Sequence, residues 1–353
     1  MAREVRIGDL TIGGQNNIAV QSMTNTDTAD IYATVMQIQS LEAAGADIVR
    51  FSVYNDDCVR AIPEIKKQTS VPLVADIHFD YRLAIASAEH GIDKLRINPG
   101  NIGSFENVQR VADCAKRHGI PIRVGVNSGS VERDLLAKYG GATPSALCES
   151  ALSHVKLLEN AHFDDIVISV KASDVKTTVM SCRELARVCD YPLHIGVTES
   201  GMGEMGIVKS SIGIGSLLLD GIGATVRVSL TGDPVNEIYA ARSILRAIDM
   251  DSSGWTDIVS CPTCGRTTGD LAAVVNTVRS RLSDLKPKRH VKIAVMGCVV
   301  NGPGEGRGAD IGIAFAPGGA MVFRNGECAY SGEREETLER FIADCREVIT
   351  NDK

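Results

Sequence analysis

The stretch "PLVADIHFDYRLAIASAEHGIDKLRINPG", residues 72–100, contains the unit from which the fold is predicted. An apolar run ends in polar residues, a helix-like segment follows, and Gly91 stands just before a second apolar run. Glycine often ends a helix because it takes the left-handed conformation without steric cost. Strand, helix and strand therefore follow one another, which is the order of a parallel βαβ unit.

The same pattern occurs along the first two thirds of the chain, and Gly45, Gly119 and Gly221 also stand before an apolar run. Eight strands that alternate with helices predict a closed parallel sheet, the (β/α)8 TIM barrel. An open doubly wound sheet is the alternative, but no G-x-G-x-x-G follows the first strand. The leading "VRIGDLTIGG" resembles a hairpin that could plug the bottom of the barrel. The eight predicted strands are 18–24, 47–53, 72–79, 94–100, 122–129, 165–173, 193–200 and 225–232.

The pattern changes after residue 250. "DSSGWTD" has the composition of a linker, and a short strand, a helix, a strand at 291–297, a Gly-rich loop "NGPGEGRG", two short strands and a helix near 333–349 follow it. The prediction is an α/β protein in which residues 1–250 form a TIM barrel and residues 251–353 form a small α+β domain.

Composition excludes several classes of protein. The 353 residues are 44% hydrophobic and carry a formal charge of −7, which argues against a nucleic-acid-binding surface. No apolar run approaches the ~20 residues that cross a bilayer, and the N-terminus has no apolar signal core. We expect a cytoplasmic protein without membrane partners, in which the ten cysteines are free, metal-bound or catalytic.

Three cysteines stand apart from the others. Cys261 and Cys264 form a CxxC pair, and Cys298 ends an apolar strand in "VMGCVVNGPGE". Zinc usually takes four N or S ligands, and a dithiol switch would leave Cys298 unexplained. Three thiolates fit an iron–sulfur cluster whose fourth iron takes an oxygen ligand, for which Glu305 in the flexible Gly-rich loop is the candidate. Ligand counting favours the cluster and leaves zinc and the dithiol open. The other seven cysteines are interpreted mainly as small apolar core residues: 58, 114, 148, 182, 189, 328 and 345.

The ends of the predicted barrel strands are polar, although barrel interiors are usually filled with Val, Ile and Leu. Five of these positions are cationic, and cations that lose water need an anion close by. Guanidinium groups bind phosphate in bidentate geometry, so a diphosphate-bearing small molecule is predicted. For any single arginine, an ion pair with Asp76 or Glu199 is the alternative. The polar positions are Arg50, Asp76, His78, Arg96, Asn98, Arg123, Asn127, Lys171, Thr198, Glu199, Arg227 and Ser229.

Five motifs together resemble the bacterial 4-hydroxy-3-methylbut-2-enyl diphosphate (HMBPP) synthases of the non-mevalonate isoprenoid pathway. They are "QSMTNTDT", "ADIHFD", "RINPGN", "SCPTCGRT" and "GCVVNGPGE", and the resemblance runs from about residue 3 to about residue 349. It implies reductive opening and dehydroxylation of 2-C-methyl-D-erythritol 2,4-cyclodiphosphate, with two electrons supplied by flavodoxin or ferredoxin. It also implies a head-to-tail homodimer.

The resemblance also implies roles for individual residues. A [4Fe–4S] cluster would be held by Cys261, Cys264, Cys298 and Glu305. Glu199 would be the proton donor beside Thr198, and a carboxyl kept out of water there could hold its proton near neutral pH. The substrate-binding residues would be Arg50, Asp76, His78, Arg96, Asn98, Arg123, Asn127, Lys171, Arg227 and Ser229.

Two other classes of protein stay open at this point. One is a zinc-stabilised barrel aldolase that uses Lys171 as a Schiff base. The other is a non-enzymatic redox sensor, which would leave the five cations without a purpose.

Overall fold

A computed structural model describes residues 2–351 of the chain, so residues 1, 352 and 353, which bound the two predicted domains, lie outside the described part. The chain divides into two compact units, with the boundary between Asp251 and Ser252. Each unit has its own hydrophobic core.

The first unit is a barrel of eight parallel strands. Neighbouring strands follow chain order from β3 to β8, and β10 pairs with both β3 and β9. An isolated parallel bridge between Ile168 and Leu193 joins the remaining edges and closes the sheet. The predicted TIM barrel is therefore confirmed. Its strands are β3 Ala19–Met23, β4 Ile48–Ser52, β5 Leu73–Asp76, β6 Lys94–Ile97, β7 Ile122–Asn127, β8 Ile166–Lys171, β9 His194–Ile195 and β10 Thr225–Val226.

Helices surround the barrel, and their ends follow local sequence signals. The side chain of Asp30 accepts the Ala33 N–H at the start of α1, which stabilises that end. Gly119 ends α4 with a left-handed φ of 64°, as the sequence predicted. The helices are α1 Ile31–Ala43, α2 Asp56–Lys66, α3 Tyr81–Glu89, α4 Phe105–His118, α5 Arg133–Tyr139, α6 Pro144–Asn160, α7 Val175–Val188, α8 Gly203–Leu219 and α9 Val235–Ala247.

A hairpin of β1 (Val5–Ile7) and β2 (Leu10–Ile12) precedes the barrel. Its buried side chains share one apolar cluster with residues at the N-terminal ends of the strands, such as Ile48, Val74 and Val167. The predicted plug at the bottom of the barrel is confirmed.

The last two barrel strands are much shorter than predicted. β9 and β10 each keep two residues of the eight-residue runs at 193–200 and 225–232. Immediately after β9, Gly196 has a φ of 157°, and a Cβ there would lie 2.2 Å from the Arg227 carbonyl oxygen. The Arg227 N–H still donates to the Ile195 carbonyl at 3.0 Å, but the regular strands end here and loop begins earlier than the sequence suggests.

The second unit is a five-stranded sheet covered by two helices. Strands β11 Trp255–Ser260, β12 His290–Met296 and β13 Ile311–Ala316 are parallel, and β14 Gly319–Arg324 continues the sheet antiparallel. Helices α10 Leu271–Leu282 and α12 Arg334–Thr350 contribute Val278 and Phe341 to the core of this unit.

Two features of the second unit differ from the sequence prediction. A fifth strand, β15 Glu327–Glu333, pairs with β14, although no strand was predicted there. It is an edge strand exposed along most of its length, so it lacks the apolar alternation by which strands are recognised. Part of the predicted Gly-rich loop forms a one-turn helix, α11 Gly302–Glu305. Within residues 2–351, no helix is long and apolar enough to cross a membrane.

Candidate functional site

The register of the barrel strands brings the predicted cations to the interior. Residue Arg96 of β6 lies beside Asp76 of β5 and Arg123 of β7, and side chains at matching positions of parallel neighbours share a face. Val74 is two residues from Asp76 and contacts the plug, so this shared face is the inside of the barrel. The sequence prediction of an inward-facing cationic set is therefore consistent with the structure.

Asp76 is the anion at the centre of this set. Its carboxylate lies 3.7 Å from Nε of Arg50, 3.1 Å from Nη1 of Arg96 and 3.4 Å from Nε2 of His78. Burial opposes the charge on Asp76, but these three groups outweigh burial and hold its pKa well below the ordinary value. Asp76 is therefore a permanent carboxylate that orients two guanidinium groups.

A second buried carboxylate was missed by the sequence analysis. Glu237 of α9 lies 3.3 Å from Nη2 of Arg227, and it accepts the Ser22 hydroxyl at 2.7 Å and the Leu230 N–H at 3.0 Å. Arg227 is thereby held as an ion pair. No strand-end pattern points to Glu237, because it lies on a helix far along the chain.

Two buried cations have no such partner. Arg123 is 1% exposed, and its Nε and Nη1 atoms have no hydrogen-bond partner among the described residues. Lys94 is fully buried, and its Nζ also has no partner there. Burial, followed by neighbouring cations such as Arg50, lowers the pKa of both groups well below their ordinary values. Lys94 was also missed, although it precedes Arg96 by two residues and so faces the same side.

The charges of the barrel interior do not balance. Six cations face two carboxylates, Asp76 and Glu237, which leaves a formal excess of four positive charges if all are ionised. Unpaired buried charge is costly, and an anionic ligand would remove that cost. The six cations are Arg50, Lys94, Arg96, Arg123, Lys171 and Arg227.

Lys171 has a neutral partner rather than an anion. Its Nζ lies 3.2 Å from Nε2 of His194, whose Nδ1 lies 2.7 Å from the Thr225 hydroxyl. Burial and then Lys171 lower the pKa of His194 well below the ordinary value, so the imidazole is neutral. Neutral Nε2 accepts from Lys171, and Nδ1–H donates to Thr225. His194 is a further residue of the interior that the sequence analysis did not identify.

Other predicted residues lie at the barrel mouth. Asn98 is buried, Asn127, Thr198 and Ser229 are half-buried, and His78 is exposed. Glu199 is exposed in the barrel unit, so the withdrawal of this carboxyl from water stays a prediction. Its φ of 52° is unusual for a residue other than glycine, and such strain often occurs at functional sites.

The three singled-out thiols lie at neighbouring strand ends of the second unit. Strands β11 and β12 pair in parallel, so Cys261 and Cys298 follow adjacent ends. The Gly297 N–H donates to Sγ of Cys261 at 3.3 Å, and Sγ of Cys264 accepts the Arg266 N–H at 3.5 Å. The N–H groups of Asn301 and Val300 lower the pKa of Cys298, with a smaller contribution from Arg266. Thiolates are stabilised by such donors, and thiolates are the ligands of iron–sulfur clusters.

The remaining cysteines have a different environment. Burial raises the pKa of Cys148 to about 11 and that of Cys182 to about 12, as expected for thiols that serve as core residues. Cys328 is the exception, since it is exposed on the edge strand β15. Its interpretation as a core residue in a helix-like run was wrong.

The expected ligands do not form a closed set. Within residues 2–351, no three or more His, Cys, Asp or Glu side chains are grouped so that they could hold a metal ion. Glu305 is exposed in α11. The donor chemistry of Cys261, Cys264 and Cys298 fits a cluster, whereas the complete ligand set stays a prediction.

Fold and site together define a class: a TIM-barrel protein whose interior is suited to an anion, followed by a small unit with accessible thiols. The family model described as "GcpE TIM-barrel domain" matches residues 2–242, and that described as "GcpE protein C-terminal domain" matches residues 257–347. The chain belongs to the GcpE family, which confirms the resemblance inferred from the five motifs.

Curated relatives match almost the whole chain. One from Ruminiclostridium cellulolyticum, named 4-hydroxy-3-methylbut-2-en-1-yl diphosphate synthase (flavodoxin), is 51% identical over 98% of this chain and 97% of its own length. One of the same name from Caldanaerobacter subterraneus subsp. tengcongensis is 52% identical over 99% of this chain and 98% of its own length. Among solved structures, a dihydropteroate synthase from Yersinia pestis covers 70% of this chain and 100% of its own, with a TM-score of 0.50 and 12% identity. That likeness shows the barrel fold alone.

Proposed function

We propose that this chain synthesises HMBPP, the product in the name of its curated relatives, by reductive conversion of 2-C-methyl-D-erythritol 2,4-cyclodiphosphate, the substrate that the resemblance implies. Two electrons and two protons enter. The bond between a ring carbon and its phosphate oxygen breaks, and one hydroxyl leaves as water. The observation that carries the proposal is the excess of buried cations in the barrel, above all the unpaired Arg123 and Lys94. A diphosphate supplies the negative charge that this interior lacks.

The chain's own residues hold and orient the substrate. Arg123 presents unpaired donors, and Asp76 fixes the guanidinium groups of Arg50 and Arg96 before substrate arrives. Such preorganised donors stabilise the charge that develops on phosphate oxygen when the bond to carbon breaks. The proposed substrate-binding set is Arg50, Asp76, His78, Arg96, Asn98, Arg123, Asn127, Lys171, Arg227 and Ser229.

Glu199 is the proposed proton donor to the departing hydroxyl, and Thr198 lies next to it at the barrel mouth. Because Glu199 is exposed in the barrel unit, the proposal requires that bound substrate or a covering surface removes it from water. The strained backbone of Glu199 supports a role for this residue.

The proposed cofactor is a [4Fe–4S] cluster, with Cys261, Cys264, Cys298 and Glu305 as its ligands. When bound, it supplies electrons one at a time and an exchangeable Lewis-acidic iron. The chain's contribution is to favour thiolates by N–H donation, as at Cys298, and to keep Cys264 exposed and Cys261 half-buried. Flavodoxin is the proposed electron donor, as in the relatives' name, with ferredoxin as the alternative.

The two other classes of protein lose support. A lowered pKa of Lys171 is what a Schiff-base lysine needs, but relatives of about half-identical sequence are named for another reaction. A redox sensor would not need an excess of buried cations. We also propose a cytoplasmic location and a homodimer.

Iron and sulfide analysis tests the proposal. Anaerobically purified protein should contain both elements, absorb broadly in the visible range and convert the cyclodiphosphate with reduced flavodoxin. Cys298→Ser should lose the absorbance and most of the activity, because a hydroxyl is a poor ligand for iron. Cys328→Ser, a change at an exposed thiol of the same unit, should leave both intact. Zinc without sulfide, or a C298S protein with full iron content, would refute the cofactor assignment.

A further inference from the structure

A one-turn 3-10 helix, Pro99–Asn101, follows β6 at the barrel mouth. The N–H of Gly100 within it points to two acceptors: Oδ1 of Asn98 at 3.3 Å and Nδ1 of His154 at 3.1 Å. Asn98 belongs to the proposed substrate-binding set, whereas His154 lies on α6, outside the barrel sheet. One backbone donor therefore connects an imidazole to the amide of a proposed binding residue.

The imidazole of His154 also contacts a second loop at the same end of the barrel. Its Nε2 lies 2.7 Å from Oε1 of Glu132, which precedes α5 and follows the strand that ends in Asn127. The His154 side chain is only 4% exposed. His154 is thus a buried bridge between the segments that follow β6 and β7.

The backbone at Gly100 is built for this contact. A Cβ on Gly100 would lie 2.3 Å from Cε1 and 3.0 Å from Nδ1 of His154, so no other residue fits without displacing the ring. The close approach makes the position of the turn depend directly on the ring.

One hydrogen bond defines the tautomer of the ring, because among the described residues only Nδ1 has a hydrogen-bond partner, whereas Nε2 contacts Glu132 without hydrogen-bond geometry. Nδ1 accepts from Gly100, so it carries no proton, and the neutral tautomer has its proton on Nε2 beside Glu132. Burial lowers the pKa of His154, although attraction to Glu132 opposes that effect. Glu132 is the charged group that contacts the ring from the α5 side, and the turn and Asn98 contribute uncharged groups. Protonation of Nδ1 would set two N–H donors against each other.

We infer that His154 is a positioning residue for substrate binding. Its ring fixes the position of the Gly100 N–H, which also donates to Oδ1 of Asn98. The side-chain amide of Asn98 is thereby oriented so that its Nδ2 donors can bind a phosphate oxygen. Asn98 follows Lys94 and Arg96 at two-residue spacing, which places it on the face of the barrel that carries the cations. The inference rests on the proposed function, because it assigns His154 to the binding of the same cyclodiphosphate.

The contact has a defined pH dependence. The folded state lowers the pKa of His154, so the contact made by the neutral ring stabilises the turn fully above the ordinary histidine pKa of about 6.5. This stabilisation is lost as the pH falls through the lowered pKa. Binding of the cyclodiphosphate should therefore weaken on the acid side through a step that depends on His154.

Two substitutions distinguish the contribution of Nδ1 of His154 from that of Nε2. In His154→Asn, Oδ1 can take the place of Nδ1 and still accept from Gly100. In His154→Gln, the amide reaches toward Glu132 and the acceptor for Gly100 is lost. Because the Gly100 N–H keeps Asn98 as its only remaining acceptor, loss of the hydrogen bond to His154 predicts that H154Q raises the Kd for the cyclodiphosphate roughly 3- to 10-fold. H154N should raise it about threefold or less by the same argument.

The measurement is calorimetric titration of the anaerobically purified full-length protein with the cyclodiphosphate, from about pH 5.5 to about pH 8 around the ordinary histidine pKa. In steady-state kinetics, H154Q should have a raised KM and a nearly unchanged kcat. The acid-side weakening of binding should be absent in H154Q. Val155→Ala is the matched control, because Val155 is a buried neighbour on α6 that belongs to the core. It should lower Tm without changing Kd.

The outcomes separate the two proposals. If the unaltered protein does not bind the cyclodiphosphate, the proposed function is wrong and the inference falls with it. If the unaltered protein binds it and H154Q binds equally well with the same pH profile, only the inference is overturned. A V155A protein that loses as much affinity as H154Q at an equal loss of Tm would also overturn it.

Discussion

At the scale of single residues, the barrel interior shows how alternation along a strand determines chemistry. Positions two apart share a face, so the sequence predicts that Arg96 and Asn98 lie on one side. The same rule could have identified Lys94, which was left out because it begins its strand instead of ending it. Glu237 and His154 had no such signal, since a helix position says nothing about which strand end it contacts.

Lys94 offers the sharpest residue-scale prediction. Lys94→Met keeps the length of the side chain and removes a desolvated cation without a partner, so Tm should rise, in line with a gain of ~1–4 kcal/mol when buried charge is replaced by apolar groups. Binding of inorganic pyrophosphate should weaken, because one cation is lost. Because the pKa of Lys94 is lowered in the fold, protonation costs stability as the pH falls below the ordinary lysine value of about 10.4. The advantage of K94M should therefore be smallest at alkaline pH.

Thermal unfolding and pyrophosphate titration measure these effects. Lys171→Met is the contrasting variant, because it leaves Nε2 of the buried His194 without its partner and should not stabilise the protein. A K94M protein that loses as much Tm as K171M would show that Lys94 is satisfied in the native state.

At the scale of elements, the strands with strong apolar runs were predicted well and the weakly patterned ones were not. β7 and β8 are covered on the outside by helices, so their β-branched runs predict them clearly. β15 failed because its side chains are largely exposed. β9 and β10 were predicted too long because the point at which a ladder ends depends on two chain segments at once.

The β1–β2 hairpin provides an element-scale prediction. Ile7 is fully buried against the barrel bottom, so Ile7→Ala should lower the free energy of unfolding by about 3 kcal/mol. Urea unfolding followed by far-UV circular dichroism gives this value. Leu10→Ala in the same hairpin is the control and should cost less, because Leu10 is only partly buried.

The chain's single tryptophan makes the readout specific. Trp255 lies in β11 of the second unit, so its fluorescence reports that unit separately. An equal loss of stability for I7A and L10A would mean that the hairpin does not act as a packed plug.

At the scale of the whole molecule, an exposed apolar stripe on α8 supports the proposed homodimer. Met205, Val208, Ile212 and Leu219 are exposed and lie on one face at helical spacing. Contiguous exposed apolar surface of this kind is typical of protein–protein interfaces. A second copy of the chain is the occupant that the family resemblance implies.

Ile212→Glu should therefore convert the protein to a monomer with little change in the stability of the protomer, because Ile212 is 57% exposed. Sedimentation equilibrium measures the mass. Ile207→Glu is the control, since Ile207 is also exposed but lies on the opposite side of the helix from Ile212, toward α9. An unaltered protein that is monomeric at micromolar concentration, or an I212E protein that stays dimeric, contradicts the proposal.

Strand alternation, helix ends and cysteine spacing are local patterns. The sequence by itself therefore determined that a barrel precedes an α+β unit, which three thiols stand apart, and which strand positions carry most of the cations. Only the tertiary structure showed that Asp76 pairs with Arg50 and Arg96, that Glu237 balances Arg227, and that His154 holds the turn after β6. These contacts join residues far apart in the chain. The physical reason is that a charge or a donor buried by folding must find its partner in space, and no local pattern encodes which distant side chain that partner is.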